Sequence, residues 1–221
     1  MFPEGLHEYV KAPEAESVFR EQMQLLIDGK IAPEVQLELI TAVEKISSPE
    51  LTQLLATYEA KKDKNNPLDM YRESIYGGDP KKGMQLFRYS NSAQCVRCHM
   101  VGDRGNRIGP ELTKIATVLS QEQMLEAMVA PAARIAPGFG RVTVIMKDGI
   151  QIEGSFDAEN KNEITVTTPD KTHVISRNQI SKLEFGGISP MPPMGQGLSK
   201  AELRDLVAYL SMLKEVEYEG H

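Results

Sequence analysis

Residues 91–112 read NSAQCVRCHMVGDRGNRIGPEL, and they hold both cysteines of the 221-residue chain and one of its four histidines. Cys95, Cys98 and His99 form the pattern C-x-x-C-H. The two cysteines lie three positions apart and the histidine follows directly, so the three residues are expected to act as one chemical unit.

C-x-x-C-H has three chemical interpretations. In covalent attachment of a c-type haem, two thiols add to two vinyl groups on one edge of a flat ring, and the adjacent histidine ligates the iron. A zinc site would need a fourth ligand, but His7, His173 and His221 are scattered and are expected to be solvent-facing or partly packed. A redox-active dithiol would need a buried strand before the motif, and none is predicted. The pattern favours haem, with zinc and a dithiol as alternatives.

The composition limits the class of protein. A net charge of −6 and a pI near 5.4 argue against a chain that binds nucleic acid through its overall charge. No apolar run approaches the ~18 residues that cross a bilayer, and the first residues do not resemble a signal peptide. We therefore expect no membrane span, and either a cytosolic protein or a mature or excised part of an exported one. Because Trp is absent and aromatic residues make up 6%, a large cofactor would be packed mostly by Leu, Ile, Val and Met.

Charge is distributed unevenly along the chain. Residues 77–119 carry seven basic and three acidic residues, whereas the regions on either side are acidic. This basic segment is either an ordinary solvated face or a docking surface that steers acidic redox partners. Its basic residues are Lys81, Lys82, Arg88, Arg97, Arg104, Arg107 and Lys114.

Residues 1–66 are predicted to form a helical leader. Apolar residues at helical spacing precede Gly29, which is expected to end a first helix. Pro33 opens a second helix, and Ser48 followed by a proline is the expected N-cap of a third. The polar stretch 59–67 is predicted to be a linker.

Further helix signals flank the cysteine motif. Asp79 is an expected N-cap before Pro80. Gly83 inside that helix costs about 1 kcal/mol relative to Ala, which suggests that another helix crosses closely there. Ser120 and Ser199 each begin a capping box, the second one before the apolar stripe of the last helix.

Between these two capped helices the hydrophobic period changes from 3.6 to 2. Residues 138–187 alternate apolar and polar side chains, include the hairpin signal Asp148-Gly149, and are expected to form about five short strands. The predicted fold class is therefore mostly α with inserted β. A small β-barrel-like insertion at 138–187 separates two helical segments, 77–137 and 188–216.

The segment 189–203, SPMPPMGQGLSKAEL, supplies a second candidate ligand for a haem iron. A low-spin electron carrier needs two axial ligands, and methionine in the second position raises the reduction potential. Met191 and Met194 both lie in a loop rich in proline and glycine, outside a helix. Methionine is also a common core residue, so packing is the alternative role for each.

These motifs together resemble small mono-haem cytochromes c. The resemblance is carried by DPKKGMQLF, CVRCH, the Gly-Pro at 109–110 and MPPMGQGLSKAELRDLVAYL. It implies a cytochrome c fold, formed by residues 77–137 and 188–216, in which Gly83 and Phe87 cross the last helix near Tyr209 and Leu210.

The resemblance also implies the role of each site residue. Cys95 and Cys98 would anchor the haem, and His99 would be the proximal iron ligand. Pro110 would accept a hydrogen bond from the His99 ring and so fix its tautomer. Met191, rather than Met194, would be the distal ligand.

The order of segments further resembles a haem-binding domain family that is abundant in planctomycetes and verrucomicrobia, usually at the C-terminal end of large exported proteins. This resemblance covers residues 77–214, and more loosely the helices within 17–60. It implies one covalent haem c and one-electron transfer rather than enzymatic catalysis, with a dehydrogenase as donor and a respiratory protein as acceptor. Because haem c is attached outside the energy-transducing membrane, a periplasmic or extracytoplasmic location is expected, with the chain an excised or mature part of an exported protein.

Two further points stay open at this level. Arg134 is a candidate partner for a haem propionate, because Arg suits carboxylate contacts, or it is an ordinary surface residue. The insertion at 138–187 either binds a partner or shields one haem edge.

The alternative function is a haem enzyme or a gas or redox sensor with a labile sixth ligand.

Overall fold

The computed structural model describes residues 13–186, 189 and 191–214. Within these residues the chain forms α-helices, short 3-10 helices and a five-stranded antiparallel sheet. The predictions for His7 and His221 lie outside the described residues.

The leader consists of α1 (Pro13–Ile27), α2 (Pro33–Val43) and α3 (Pro49–Ala60). Gly29 has a φ of +71°, a left-handed conformation that suits glycine and ends the first helix region. The Ser48 hydroxyl accepts a hydrogen bond from the backbone N–H of Leu51 at 3.3 Å, which confirms the predicted N-cap. The three helices enclose a core of Met23, Leu26, Ile40, Val43, Leu51 and Tyr58.

The predicted linker at 59–67 is mostly exposed, as its polar composition predicts, but Lys62 is an exception. The Lys62 side chain is fully buried. An unpredicted 3-10 helix, Asp69–Ser74, follows it and carries the fully buried side chain of Glu73. The segment therefore joins the leader to the rest of the chain through a buried ionic contact, which residue-by-residue polarity does not reveal.

Three further helices surround the main core: α4 (Pro80–Tyr89), α5 (Gln121–Val129) and α6 (Lys200–Leu210). Both predicted capping boxes, at the starts of α5 and α6, are present. The predicted crossing of α4 and α6 is also confirmed. A Cβ atom at Gly83 would lie 1.9 Å from the Asp205 carbonyl oxygen, and the rings of Phe87 and Tyr209 lie 5.6 Å apart between centroids.

Seven short strands are present among the described residues. β1 and β2 form a minimal hairpin directly after the cysteine motif, and the other five form the antiparallel sheet in the order β6-β5-β4-β3-β7. Their bounds are β1 Met100–Val101, β2 Arg104–Gly105, β3 Arg141–Met146, β4 Gln151–Glu159, β5 Glu163–Thr167, β6 Thr172–Ser176 and β7 Ile180–Gly186.

The sheet has a hydrophobic core of its own, with members only from the inserted region. Its fully buried side chains include Val142, Val144, Phe156, Ile164 and Val166. A sheet that buries one face without a second layer has to curve around that face. Among the described strands β6 and β7 are the two edges, so the barrel-like insertion is a curved open sheet. No helix among the described residues is long and apolar enough to span a bilayer.

Candidate functional site

The cysteine motif lies on a tight turn that follows α4. Gln94 has a φ of 48°, an uncommon left-handed conformation for a residue other than glycine, and it turns the chain into the 3-10 helix Cys95–Arg97. The His99 backbone N–H donates to the Cys95 carbonyl at 2.8 Å. Cys95 is partly buried against the main core, whereas Cys98 is exposed. The turn therefore gathers the three motif residues on one short loop.

The His99 ring is held by the loop that contains Gly109 and Pro110. Its Nδ1 lies 2.8 Å from the Pro110 carbonyl oxygen, so the hydrogen bond implied by the resemblance is present. Because a carbonyl only accepts, Nδ1 carries a proton, and in the neutral imidazole Nε2 is then the nitrogen with the free lone pair. A Cβ atom at Gly109 would lie 2.8 Å from the His99 Cε1 atom, so only glycine leaves room for this ring position.

Backbone hydrogen bonds hold the surrounding loop rigidly. The Gly109 N–H donates to the Cys98 carbonyl at 2.7 Å, and the Leu112 N–H donates to Met100 at 2.8 Å. Gly105, with a φ of +111°, lies so close to the His99 carbonyl that a Cβ atom there would be 2.1 Å from its oxygen. The position of His99 is thus determined by the folded loop rather than by its own rotamer alone.

Cys95, Cys98 and His99 line a cavity of about 510 Å³, within the ~300–1,000 Å³ typical of sites for small molecules and cofactors. The wall is mostly aliphatic, as the low aromatic content predicts. It includes Leu112, Ile115, Val118, Leu119, Met124 and Met128. Ile108 and Val118 are 67% and 71% exposed, so the cavity opens to solvent at an apolar rim.

Both candidate distal methionines line the same cavity, but their environments differ. Met194 begins the 3-10 helix Met194–Gln196 and is 7% exposed as part of the main core. Met191 is only partly buried and packs at the edge of that core. Its backbone N–H donates to the Ser189 hydroxyl at 3.2 Å. The Met191 side chain is therefore less fixed by packing and is placed to contact a group bound in the cavity, whereas Met194 already packs in the core.

Arg134 also lines the cavity, where it faces a carboxylate from the inserted sheet. Its Nη1 atom lies 3.7 Å from Glu159 Oε1, and Arg177 forms an ion pair with the other oxygen of the same carboxylate. Glu159 is the last residue of β4 and lines the cavity as well. The insertion thus contributes directly to the cavity wall, and a propionate would approach an arginine that already has an acidic neighbour.

This geometry gives little support to the other two interpretations of the motif, a redox-active dithiol and a zinc site. Burial raises the pKa of the Cys95 thiol to about 11, so the thiol is protonated at neutral pH, whereas a redox-active dithiol depends on a thiolate. In the described part of the chain no three His, Cys, Asp or Glu side chains converge as a metal site would require.

Sequence comparisons assign this chain to no family. No family model matches the chain, and no curated protein sequence matches it. Among solved structures it is similar to the crystal structure of the pleiotropic translational regulator Hfq, at 24% identity, over 30% of this chain and 89% of that one. The TM-score of that superposition is 0.22, too low to carry an argument about fold or function.

Two residues at the site, Glu159 and Gly109, were given no role of their own by the sequence-based predictions. Glu159 lies in a polar stretch and gives no local signal of facing a cavity. Gly109 belongs to the Gly-Pro pair that follows the motif closely in sequence, and this closeness could have indicated its contact with the His99 ring. The structure brings Cys95, Cys98, His99, Pro110, Met191 and Arg134 together on one cavity.

Proposed function

We propose that this chain is a mono-haem c-type cytochrome domain that carries out one-electron transfer and is not itself an enzyme. One observation carries the proposal. The C-x-x-C-H residues, a histidine ring oriented by a backbone carbonyl, and a loop methionine all line a single, mostly aliphatic cavity. This donor set matches the His/Met ligation of cytochromes c.

The residues present fit such a group. Cys95 and Cys98 would hold a haem through thioether bonds, and His99 and Met191 would be the axial ligands. The Pro110 carbonyl orients the His99 ring. The mostly aliphatic wall would give the group an apolar surrounding. When bound, the haem iron would supply one-electron redox chemistry, and a methionine ligand with an apolar surrounding favours a higher reduction potential.

The rim of the cavity supports a role in transfer between proteins. Ile108 and Val118 are exposed there, and Arg97, Arg104 and Arg107 in the same stretch of chain are exposed as well. An apolar rim with positive charges nearby suits transient docking of an acidic redox protein. We propose an extracytoplasmic location, because haem c is attached outside the energy-transducing membrane. From the family resemblance we also propose a dehydrogenase as electron donor and a respiratory protein as acceptor.

The test of the proposed function is the haem itself. We expect the chain, exported from a host that attaches haem c, to carry one covalent haem that gives the c-type pyridine haemochrome spectrum. Replacing both Cys95 and Cys98 with Ala should abolish covalent attachment. A purified chain that binds zinc and lacks the haemochrome spectrum would overturn the proposal.

The choice of distal ligand is tested by the two loop methionines. Met191→Ala should remove the methionine–iron charge-transfer band and low-spin character, because the sulfur that completes the iron ligation is lost. Met194→Ala is the matched control and should keep the band while losing about 2–5 kcal/mol of stability as a core truncation. The reverse pattern would show that Met194 is the ligand. A wild-type haem protein that lacks the methionine–iron band would favour the sensor or haem enzyme alternative.

A further inference from the structure

The 3-10 helix Asp69–Ser74 touches the loop that carries the two methionines, although the two segments are far apart in sequence. The Tyr71 hydroxyl donates a hydrogen bond to the Gly195 carbonyl at 3.1 Å. Gly195 lies in the short helix Met194–Gln196, directly after Met194 and four residues after Met191. The contact therefore joins the short helix that follows the leader to the ligand loop.

The Tyr71 ring also packs closely against the backbone of Gly195. A Cβ atom at Gly195 would lie 2.5 Å from the Tyr71 hydroxyl oxygen and 2.6 Å from its Cζ atom. The tyrosine ring thus rests directly on the loop backbone, which only glycine permits. Tyr71 and Met191 also pack against the same hydrophobic core.

A second contact holds the other end of the loop. Glu73 Oε2 lies 3.2 Å from the ammonium nitrogen of Lys200, the first residue of α6. Glu73 is in turn held by the leader, through an ion pair with Lys62 at 2.7 Å and a hydrogen bond from the Tyr58 hydroxyl. The 69–74 helix therefore connects α3 to both ends of the stretch from Gly195 to Lys200.

The internal hydrogen bonds described for the loop are all short-range, such as those from the Gly197 and Leu198 N–H groups to the Met194 carbonyl. Pro192 and Pro193 have no N–H to donate, and the short helix that begins at Met194 has no side-chain cap. A segment of this kind keeps its position through contacts with neighbouring elements, and Tyr71 supplies a polar one.

We propose that Tyr71 is a positioning residue for the distal methionine: its hydrogen bond to the Gly195 carbonyl holds the ligand loop over the cavity, which makes the 69–74 helix part of the haem site. This inference rests on the proposed function. It assigns a role in haem ligation to the segment that connects the leader to the cytochrome domain.

The test compares Tyr71→Phe with the wild-type chain and with Tyr76→Phe, a nearby tyrosine packed against the same core. All three holoproteins are titrated with imidazole, which competes for the sixth iron position. In Tyr71→Phe the imidazole concentration that displaces half of the methionine should fall about five-fold, the effect of losing one ordinary hydrogen bond. Haem content and the melting transition should change little, and Tyr76→Phe should match the wild type.

Other outcomes separate this inference from the proposed function. A wild-type chain without haem c, or with haem but no methionine–iron band, overturns the proposed function and this inference with it. A wild-type chain with the band, and the same imidazole midpoint in Tyr71→Phe and Tyr76→Phe, overturns only the role of Tyr71. If Tyr71→Phe folds poorly, Gly195→Ala displaces the same ring from the loop side and should produce the same loss of imidazole resistance.

Discussion

Replacing Glu73 with Ala is expected to lower the free energy of unfolding by about 3–5 kcal/mol, because it removes the fully buried carboxylate that pairs with both Lys62 and Lys200. The side chains of Glu73 and Lys62 are both fully buried, and their charged atoms lie 2.7 Å apart. Tyr58 and Lys200 also lose an acceptor in the variant. Urea unfolding of the full chain, followed by circular dichroism, measures the loss.

An exposed ion pair on the sheet provides the matched control. Arg141 and Glu153 lie 3.3 Å apart with side chains more than half exposed. Surface pairs of this kind contribute about 0–1 kcal/mol, so Glu153→Ala should be nearly neutral. If Glu73→Ala were as mild as Glu153→Ala, the buried network would not connect the leader to the rest of the chain as described.

The effect of Glu73→Ala should also depend on pH. Burial alone would raise the pKa of Glu73, but hydrogen bonds from Lys62 and Tyr58 and the charge of Lys200 outweigh it and hold the pKa below its usual value. A carboxyl with a lowered pKa stabilises the folded state above its unfolded pKa, and the contribution is lost as the pH falls through the folded pKa. The difference between wild type and Glu73→Ala should therefore be full at pH 7 and narrow below the ordinary glutamate pKa of ~4.3.

Gly83→Ala is expected to destabilise the protein by about 3 kcal/mol, the upper end of the usual cost of overpacking. In an exposed helix the same change would stabilise by about 1 kcal/mol, so the sign of the effect is diagnostic. The added methyl carbon would lie 1.9 Å from the Asp205 carbonyl oxygen and 2.8 Å from the Tyr209 Cβ atom. A backbone carbonyl cannot rotate away as a side chain would, so α4 and α6 would have to separate.

The control for Gly83→Ala is Gly186→Ala at the end of β7. A Cβ atom there would have no other atom within 4 Å, so the change should stay within about 0.5 kcal/mol of the wild type. Both variants are compared by thermal and urea unfolding. A Gly83→Ala chain that is as stable as the wild type would mean that the two helices cross at a greater distance.

Local sequence signals predicted the helices accurately. Ser48, Asp79, Ser120 and Ser199 are all N-caps in the structure, as expected. Capping depends on hydrogen bonds within the first helical turn, so a few neighbouring residues are sufficient to identify it. The alternation in 138–187 identified the strands for the same reason, since the side-chain period of two is a local property.

The segment between the leader and α4 is predicted only in part. Residues 59–67 are polar, which predicts an exposed linker, and most of them are exposed, yet Lys62 is fully buried. Charged side chains can be buried only when partners of opposite charge converge on them. The partners of Glu73 come from different elements, and Lys200 lies 127 positions after it in sequence. No local sequence pattern therefore predicts this contact.

The candidate site likewise has a part that was predicted from the sequence and a part that depends on tertiary packing. The motif C-x-x-C-H and the Gly-Pro pair lie within 16 residues, and the resemblance to mono-haem cytochromes c implied the contact between His99 and the Pro110 carbonyl. The sequence also offered two methionines in one loop. That Met194 belongs to the core while Met191 remains at the cavity edge depends on how the loop packs, which the sequence pattern does not specify.

Short-range patterns were therefore sufficient for the helices, the strands and the cysteine motif, because hydrogen bonds and side-chain periods within a few residues define them. The folded arrangement alone brings Tyr71 onto Gly195, Glu159 beside Arg134, and Lys62 and Lys200 around Glu73. These contacts join elements that are distant in sequence, and they form only when the hydrophobic cores have packed those elements together.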